Sequence, residues 1–406
     1  MTFMAMTTKK GHNRLICRWF HLTATVMVAL LLASCGQETL DNGSMNLVAL
    51  YPVVDSHIET QVMTRALGAE YKPYTDSTHT RQRIYAYAVA FDNTDARLQA
   101  KDTTGYFAPV SEGWRSSVMV EAGTSYRLFA HTAIPGVSAR DISYSYTGGT
   151  AKATFNGIDI ISGTDILVCR ASAGKDMDDT PTPDEYPVLT EGNFDRFTVT
   201  GGDPSPTRAF LAMDHLYAKA ELRFRMAEVV YDELRTIKLK GVYVSTAKGT
   251  INGSHTLDLS NGNLEISNPG NGAWTLSDKD ITVDVMNGAS STAARDEDGM
   301  VELVTDEYRS AGWFTFLPLY VNQFYNSAPV LSLRVMYDVF DATGYKTREN
   351  QTAVNAHVLK NITANLSTSP QKGYSYIIDI TVDPTYIYQL SDYDSEYGLI
   401  IDNTGN

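Results

Sequence analysis

The chain reads as an all-β protein: two tandem β-sandwich domains behind an N-terminal export signal that ends at a lipid-accepting cysteine. Three observations predict this. Bulky and small or polar residues alternate with a period of two through much of the sequence, tyrosine is abundant at 24 residues, and a charged lead with a short apolar run precedes Cys35. Alternation places successive side chains on opposite faces of a strand, and aromatic and β-branched residues suit a pleated, half-buried surface.

Taken in order, the first element is the signal. Lys9, Lys10, Arg14 and Arg18 form a positive lead, and Leu22 to Ala33 is free of charge, the n-region and h-region of a secretory signal. The run is shorter than the roughly 20 apolar residues of a membrane-spanning helix, so removal is expected. Leu32, Ala33 and Ser34 before Cys35 resemble a bacterial lipobox, in which small residues suit a peptidase and the thiol accepts a diacylglyceryl group. The alternative is an ordinary signal peptide with an incidental cysteine. With Cys17 lost in residues 1–34 and Cys35 acylated, Cys169 stands alone and no intramolecular disulfide can form. In "DILVCRA" it reads as a small buried hydrophobe at a strand end.

The strands follow. In "RIYAYAVAF" Tyr85, Tyr87, Val89 and Phe91 share one face and Ile84, Ala86, Ala88 and Ala90 the other, a bulky and a small face suited to a sandwich. "LDLSNGNLEI" sets Asn261-Gly262 between two alternating runs, a hairpin signal. "LSLRVMYDVF" puts Leu331, Leu333, Val335, Tyr337 and Val339 on one face and ends at the turn "DATG". "YSYIIDITV" repeats the pattern with Tyr374, Tyr376, Ile378, Ile380 and Val382. Long helical periodicity is scarce, and the best candidate, "RMAEVVYDEL", fits one short helix or a strand with a turn. The Gly/Pro-rich "TGGDPSPT" at 200–207 interrupts regular pairing and sets the expected domain boundary between residues 205 and 206. The chain after residue 34 suffices for two domains of about 150 to 200 residues.

Composition and motifs restrict the chemistry. A net charge of −14 disfavours nucleic acid, whose phosphates require a basic footprint. There is no G-x-S-x-G elbow, H-E-x-x-H or P-loop, so no enzyme and no cofactor is expected. "DYDSEYG" opens like an EF-hand loop with Asp392, Asp394 and Glu396, but Tyr397 occupies the glycine position and no Glu follows at the twelfth. The acidic loop of Asp176, Asp178, Asp179, Asp184 and Glu185 reads as solvated, and no metal is expected. Lys219, Arg223, Arg225, Arg235, Lys238 and Lys240 read as a solvated strand face.

At "FLAMDHLYAKAELRFRM", residues 210–226, an apolar lead, His215-Leu216, Ala218-Lys219 and an alternating strand are followed by "TIKLKGVYVSTAKGTING". The pattern resembles the fimbrillin superfamily of type V pilins and fimbrillin-like relatives, and "GYSYIIDITVDPTYIYQLSDYD" is similar to their closing strands. His215 itself reads as a core histidine satisfied by backbone carbonyls. The resemblance implies two transthyretin-like β-sandwiches, residues 66–205 and 206–406, in an outer-membrane lipoprotein at the cell surface or in a fimbrium. It also implies that an arginine-specific protease removes an N-terminal segment, here 35–65, at Arg65-Ala66. The resulting groove takes a strand from another subunit. The displaced strand would be "MNLVALYPVV", with Leu47, Ala49, Tyr51 and Val53 on the inward face. Partners are other pilus subunits by strand exchange, the outer membrane through the lipid anchor, and host or bacterial surface ligands. The tail "EYGLIIDNTGN" offers only Leu399, Ile400 and Ile401 in succession, which weighs against a stalk role and fits a tip, accessory or monomeric lipoprotein. The rival function is a monomeric glycan-binding surface lipoprotein whose tyrosines and Trp114, Trp274 or Trp313 stack on sugars.

Overall fold

Alternating apolar residues build strands almost throughout the computed structural model, which describes residues 47–56, 82–110, 113–177, 185–201, 207–227, 235–266, 275–286, 294–318, 331–355, 370–382 and 399–402. Among the described residues the elements are 24 strands and two 3-10 turns. The eight-stranded sheet has Ile84–Phe91 and Ser125–Thr132 at its centre. It continues through Leu167–Asp176 and Thr207–His215 to the edge strand Tyr51–Ser56, and on the other side through Thr103–Val110 to Gly113–Ser116. Both faces of Ile84–Phe91 are covered: Ala86, Ala88 and Ala90 are inaccessible, and Tyr87, Val89 and Phe91 are buried.

A five-stranded sheet centres on Ala218–Met226, paired antiparallel with Arg309–Phe316 and parallel with Ser375–Val382. Another joins Arg235–Thr246 to Leu331–Asp341 and Lys346–Asn355. A four-stranded sheet joins Ser143–Thr147 and Thr150–Asp159 to Thr250–Asp258 and Asn263–Ile266. The two turn predictions fall where expected. Asp258 faces Asn263 across the Asn261-Gly262 hairpin, whose loop is fastened by the Asp258 carboxylate accepting from Ser260 N and Asn261 Nδ2, each at 2.8 Å. In "DATG" the Asp341 carboxylate accepts from the amides of Thr343 and Tyr345. The segment 228–234, within the helical candidate, lies outside the described residues.

The expected boundary at 205/206 does not separate the sheets, and this corrects the sequence reading. Thr207–His215 pairs with Leu167–Asp176 from Leu167 opposite His215 to Asp176 opposite Thr207, and Thr250–Asp258 pairs with Thr150–Asp159. The physical cause lies in the strand after the linker. Ala209, Leu211 and Met213 join the main core while Phe210 and Ala212 join a second small cluster with Ala171, Ala173 and Leu189. A strand buried on both faces needs partners on both edges, and its partners lie on the near side of the Gly/Pro break. Residues 47–406 accordingly form one compact unit.

One close approach between sheets depends on glycine. Gly312 has φ +124° beside a bulge that shifts the register against Leu222 and Arg223, and a Cβ there would stand 2.2 Å from the Val285 carbonyl oxygen. No other residue type fits both the conformation and the space.

Candidate functional site

The candidate site is the sheet edge closed by the N-terminal segment. Leu47–Ala49 pairs antiparallel with Met119–Glu121, and Leu50 N continues the ladder by donating to the Val118 carbonyl at 3.0 Å. The chain then changes partner: Tyr51–Ser56 runs parallel to Arg208–Met213 at the edge of the eight-stranded sheet. Pro52, which has no N–H to donate, fits such an edge.

The inward side chains are not those the sequence suggests. Leu50 is inaccessible and Val48 packs against the core, whereas Leu47 is 55% exposed. Ala49 and Tyr51 are half-buried. Val53 stands opposite Phe210 in the register, and its side chain is not among those described. The reason is the change of partner at Leu50. A one-residue change of phase moves a whole set of side chains to the other face, and a segment that serves two pairings does not keep one phase. Cys35, Arg65 and Ala66 lie outside the described residues.

Behind this edge, the sequence pattern around His215 gains a physical meaning. His215 ends the strand Thr207–His215, and its Nδ1 lies 2.7 Å from Asp165 Oδ1, both side chains about 6% exposed. A carboxylate, not backbone carbonyls alone, therefore satisfies this core histidine. Leu216 N donates to Ile166 O, and Tyr217 OH donates to the Asp159 carbonyl at 2.5 Å. Lys219, four residues on, has its pKa lowered by burial, opposed by attraction to Asp165; its Nζ sits 5.6 Å from the Trp313 ring centroid. The His-Leu-Tyr-Ala-Lys stretch thus steers the chain from one sheet into the next, with His215 held by the Asp165 carboxylate and Tyr217 by the Asp159 carbonyl. Sequence reasoning missed Asp165, because 50 residues separate it from His215.

The remaining candidates disperse. Arg223 forks onto Asp379 at 2.7 and 2.8 Å, Lys238 meets Asp296 at 2.8 Å, and Lys240 meets Asp338 at 3.3 Å, so the basic residues are paired on different sheets. Trp313 is buried, which removes it as an open platform for sugars, and Trp114 is half-buried, packed against the core. Trp274 is outside the described residues, as are Asp178, Asp179 and Asp184 of the acidic loop and Asp392, Asp394 and Glu396. Among the described residues no cluster of acidic, histidine or cysteine side chains is arranged to hold a metal ion. Cys169 is fully buried, and burial pushes its thiol up to about 12, in keeping with an inert core residue.

No protein-family model and no curated protein sequence matches the chain. Among solved structures it is similar to a fimbrial protein from Bacteroides vulgatus, at 11% identity over 87% of this chain and 97% of that one, TM-score 0.42. It is also similar to a candidate cell adhesion protein from Bacteroides fragilis, at 13% identity over 87% and 96%, TM-score 0.36. A third likeness is to the fimbrial anchor protein Mfa2 from Porphyromonas gingivalis, at 11% identity over 82% and 90%, TM-score 0.26.

Proposed function

We propose that the chain is an exported, lipid-anchored structural or adhesive subunit of a surface fimbrial assembly. In this reading residues 47–56 are a resident strand that keeps an edge of the sheet filled. Cleavage at Arg65-Ala66 frees its C-terminal end, and a strand from another subunit replaces it. The observation that carries the proposal is the placement of that segment: Leu47–Ala49 lies against Met119–Glu121, and Tyr51–Ser56 lies at the edge of the eight-stranded sheet against Arg208–Met213, with no strand paired to its outer side among the described residues. Its removal would bare a row of main-chain donors and acceptors and vacate the space of Leu50. Such an edge is a template for strand addition, in which backbone bonds give affinity and pockets for alternate side chains give specificity.

Burial of Leu50 stabilises the resident strand by about 1.5 to 3 kcal/mol, so cleavage alone should not eject it; cleavage permits exchange and a competing strand drives it. The tail strand Leu399–Asp402 pairs with Ser375–Val382 of its own chain and spans four residues. A tail so occupied favours a tip, anchor or accessory place over a repeating stalk unit. Treating cells with an arginine-specific protease tests the reading. High-molecular-weight ladders should form with the native chain and not with Arg65→Ala; equal ladders in both would remove Arg65 from the account.

A further inference from the structure

Among the described residues, the four-stranded sheet of Ser143–Thr147, Thr150–Asp159, Thr250–Asp258 and Asn263–Ile266 shares no strand with any other sheet. Side chains, rather than a continuous ladder, hold it against the eight-stranded sheet. Tyr144 stacks on Tyr87 with ring centroids 5.4 Å apart, and its hydroxyl lies 2.8 Å from His131 Nε2. Tyr146 meets Phe91 edge to face at 5.9 Å and Phe129 at the same distance. The register carries this face across the sheet: Tyr144 stands opposite Ala153 and Ala153 opposite Leu257, and one step along the same face Phe155 stands opposite His255. Ala153, Phe155, His255 and Leu257 are all buried.

One histidine stands on each side of this contact, His131 on Ser125–Thr132 and His255 on Thr250–Asp258, and they are 1% and 0% exposed. His131 Nδ1 donates to the Thr132 carbonyl at 2.6 Å. His255 Nε2 donates to the Ile251 carbonyl at 3.1 Å, which leaves its Nδ1 buried without a hydrogen-bond partner among the described residues. Around His131 stand Tyr85, Tyr144 and Val168; around His255 stand Phe155 and Ile266. The charged side chains of these strands are engaged elsewhere or exposed. Arg127 donates to Tyr146 OH, Arg170 pairs with Glu191, and Lys175 donates to the Glu185 carbonyl. Asp176 accepts from Thr207, Asp159 is held by Thr250 and Lys279, Asp258 fastens its own hairpin, and Lys152 and Glu265 are exposed. A proton on either ring would therefore set an uncompensated charge inside the contact, and on His255 an orphaned N–H as well. Burial holds both rings below the ordinary histidine range.

We propose that acid releases this four-stranded sheet from the eight-stranded one as a unit, each histidine taking up a proton once its ring is freed, while the other sheets stay closed. A ring that is neutral in the closed contact and protonates near pH 6.5 when freed makes opening easier as the pH falls through that value. The tyrosines of the contact stay neutral throughout, since burial pushes Tyr87 up to about 12 and Tyr144 well above its ordinary value. Connectivity sets the place of the opening: a sheet joined by no ladder opens at less cost than the whole fold. The device stands apart from the N-terminal strand, so its test is independent of strand exchange.

The test is amide hydrogen exchange on the full, uncleaved chain at pH 7, 6 and 5, read by mass spectrometry and corrected for the intrinsic effect of pH on exchange. Amides of 151–158 and 254–257 should exchange at least about tenfold faster than those of 218–226 at every pH, with a weaker dependence on added urea, the mark of an opening smaller than global unfolding. Their protection should fall roughly twentyfold between pH 7 and 5 for each histidine freed. His131→Gln and His255→Gln should each remove one such factor. Should either variant fail to fold, the other and the native chain decide. Equal protection and equal urea dependence in the two sets of strands, protection that does not fall with acid, or an unaltered pH dependence in a folded glutamine variant would overturn the proposal.

Discussion

His131 shows how much a single buried side chain can commit a fold to one protonation state. Its Nδ1 faces the Thr132 carbonyl at 2.6 Å and its Nε2 the Tyr144 hydroxyl at 2.8 Å. The ring therefore donates from Nδ1 to the carbonyl, and in the neutral form that burial favours its Nε2 accepts from the tyrosine. Burial pushes its pKa down to about 4, against the upward pull of the Thr132 carbonyl. The unfolded chain takes up this proton near pH 6.5 and the folded chain only near 4, so stability is complete above about 6.5 and falls as the pH drops between the two. The slope should be roughly 1.4 kcal/mol per pH unit over that window. Urea unfolding at pH 7, 6 and 5 should show a shallower decline for His131→Gln than for the native chain; parallel declines would show that His131 is not the group responsible. Asp338 is the acidic counterpart. It is inaccessible, accepts from Asn350 N at 2.8 Å and meets Lys240 and Lys346. Asp338→Ala should cost about 1 to 3 kcal/mol by orphaning these donors, while Asp338→Asn, which keeps an acceptor for Asn350, should cost less; equal losses would assign the effect to charge alone.

At the scale of the element, the N-terminal strand is the part whose stability should be local. One face of a two-residue pivot, Val48 and Leu50, holds it to the core, and Pro52 removes one possible main-chain donor. Leu50→Asp should therefore speed amide exchange over 208–213 and leave Ile84–Phe91 protected; uniform acceleration throughout the sheet would mean that the strand is integral to the core. What the sequence revealed here, and what it hid, has a physical pattern. Period-two alternation identified Ile84–Phe91 and Ser375–Val382 as strands because each keeps one pairing phase along its length, and Leu331–Asp341 because its register against Lys346–Asn355 shifts only near Tyr337–Phe340. The hairpin at Asn261-Gly262 and the turn at "DATG" were legible because their side chains act on their own backbone. The inward face of 47–53 was not legible, since the phase is set by two different partners far along the chain. Asp165 beside His215 was hidden for the same reason: neither local spacing nor residue type announces a pair 50 residues apart.

For the whole molecule, the sheets that cross the Gly/Pro linker make the two halves interdependent. A chain ending at residue 205 lacks the strands that cover Leu167–Asp176 and Thr150–Asp159, so it should fail to fold. Its Cys169 should react rapidly with a thiol reagent where the full chain reacts slowly; a folded, unreactive fragment would restore the boundary that the linker suggested. Within that single fold, the central claim is that the N-terminal strand must leave its edge before subunits can join. Leu50 faces Val118 across an antiparallel ladder, where opposed Cα atoms lie about 4.5 to 5.5 Å apart, within the range of a disulfide. The most direct measurement uses Leu50→Cys with Val118→Cys, cleaved after Arg65 and assayed for ladders with and without reductant. The account predicts no ladders while the strand is locked and full assembly once the disulfide is reduced; equal assembly in both states would contradict it.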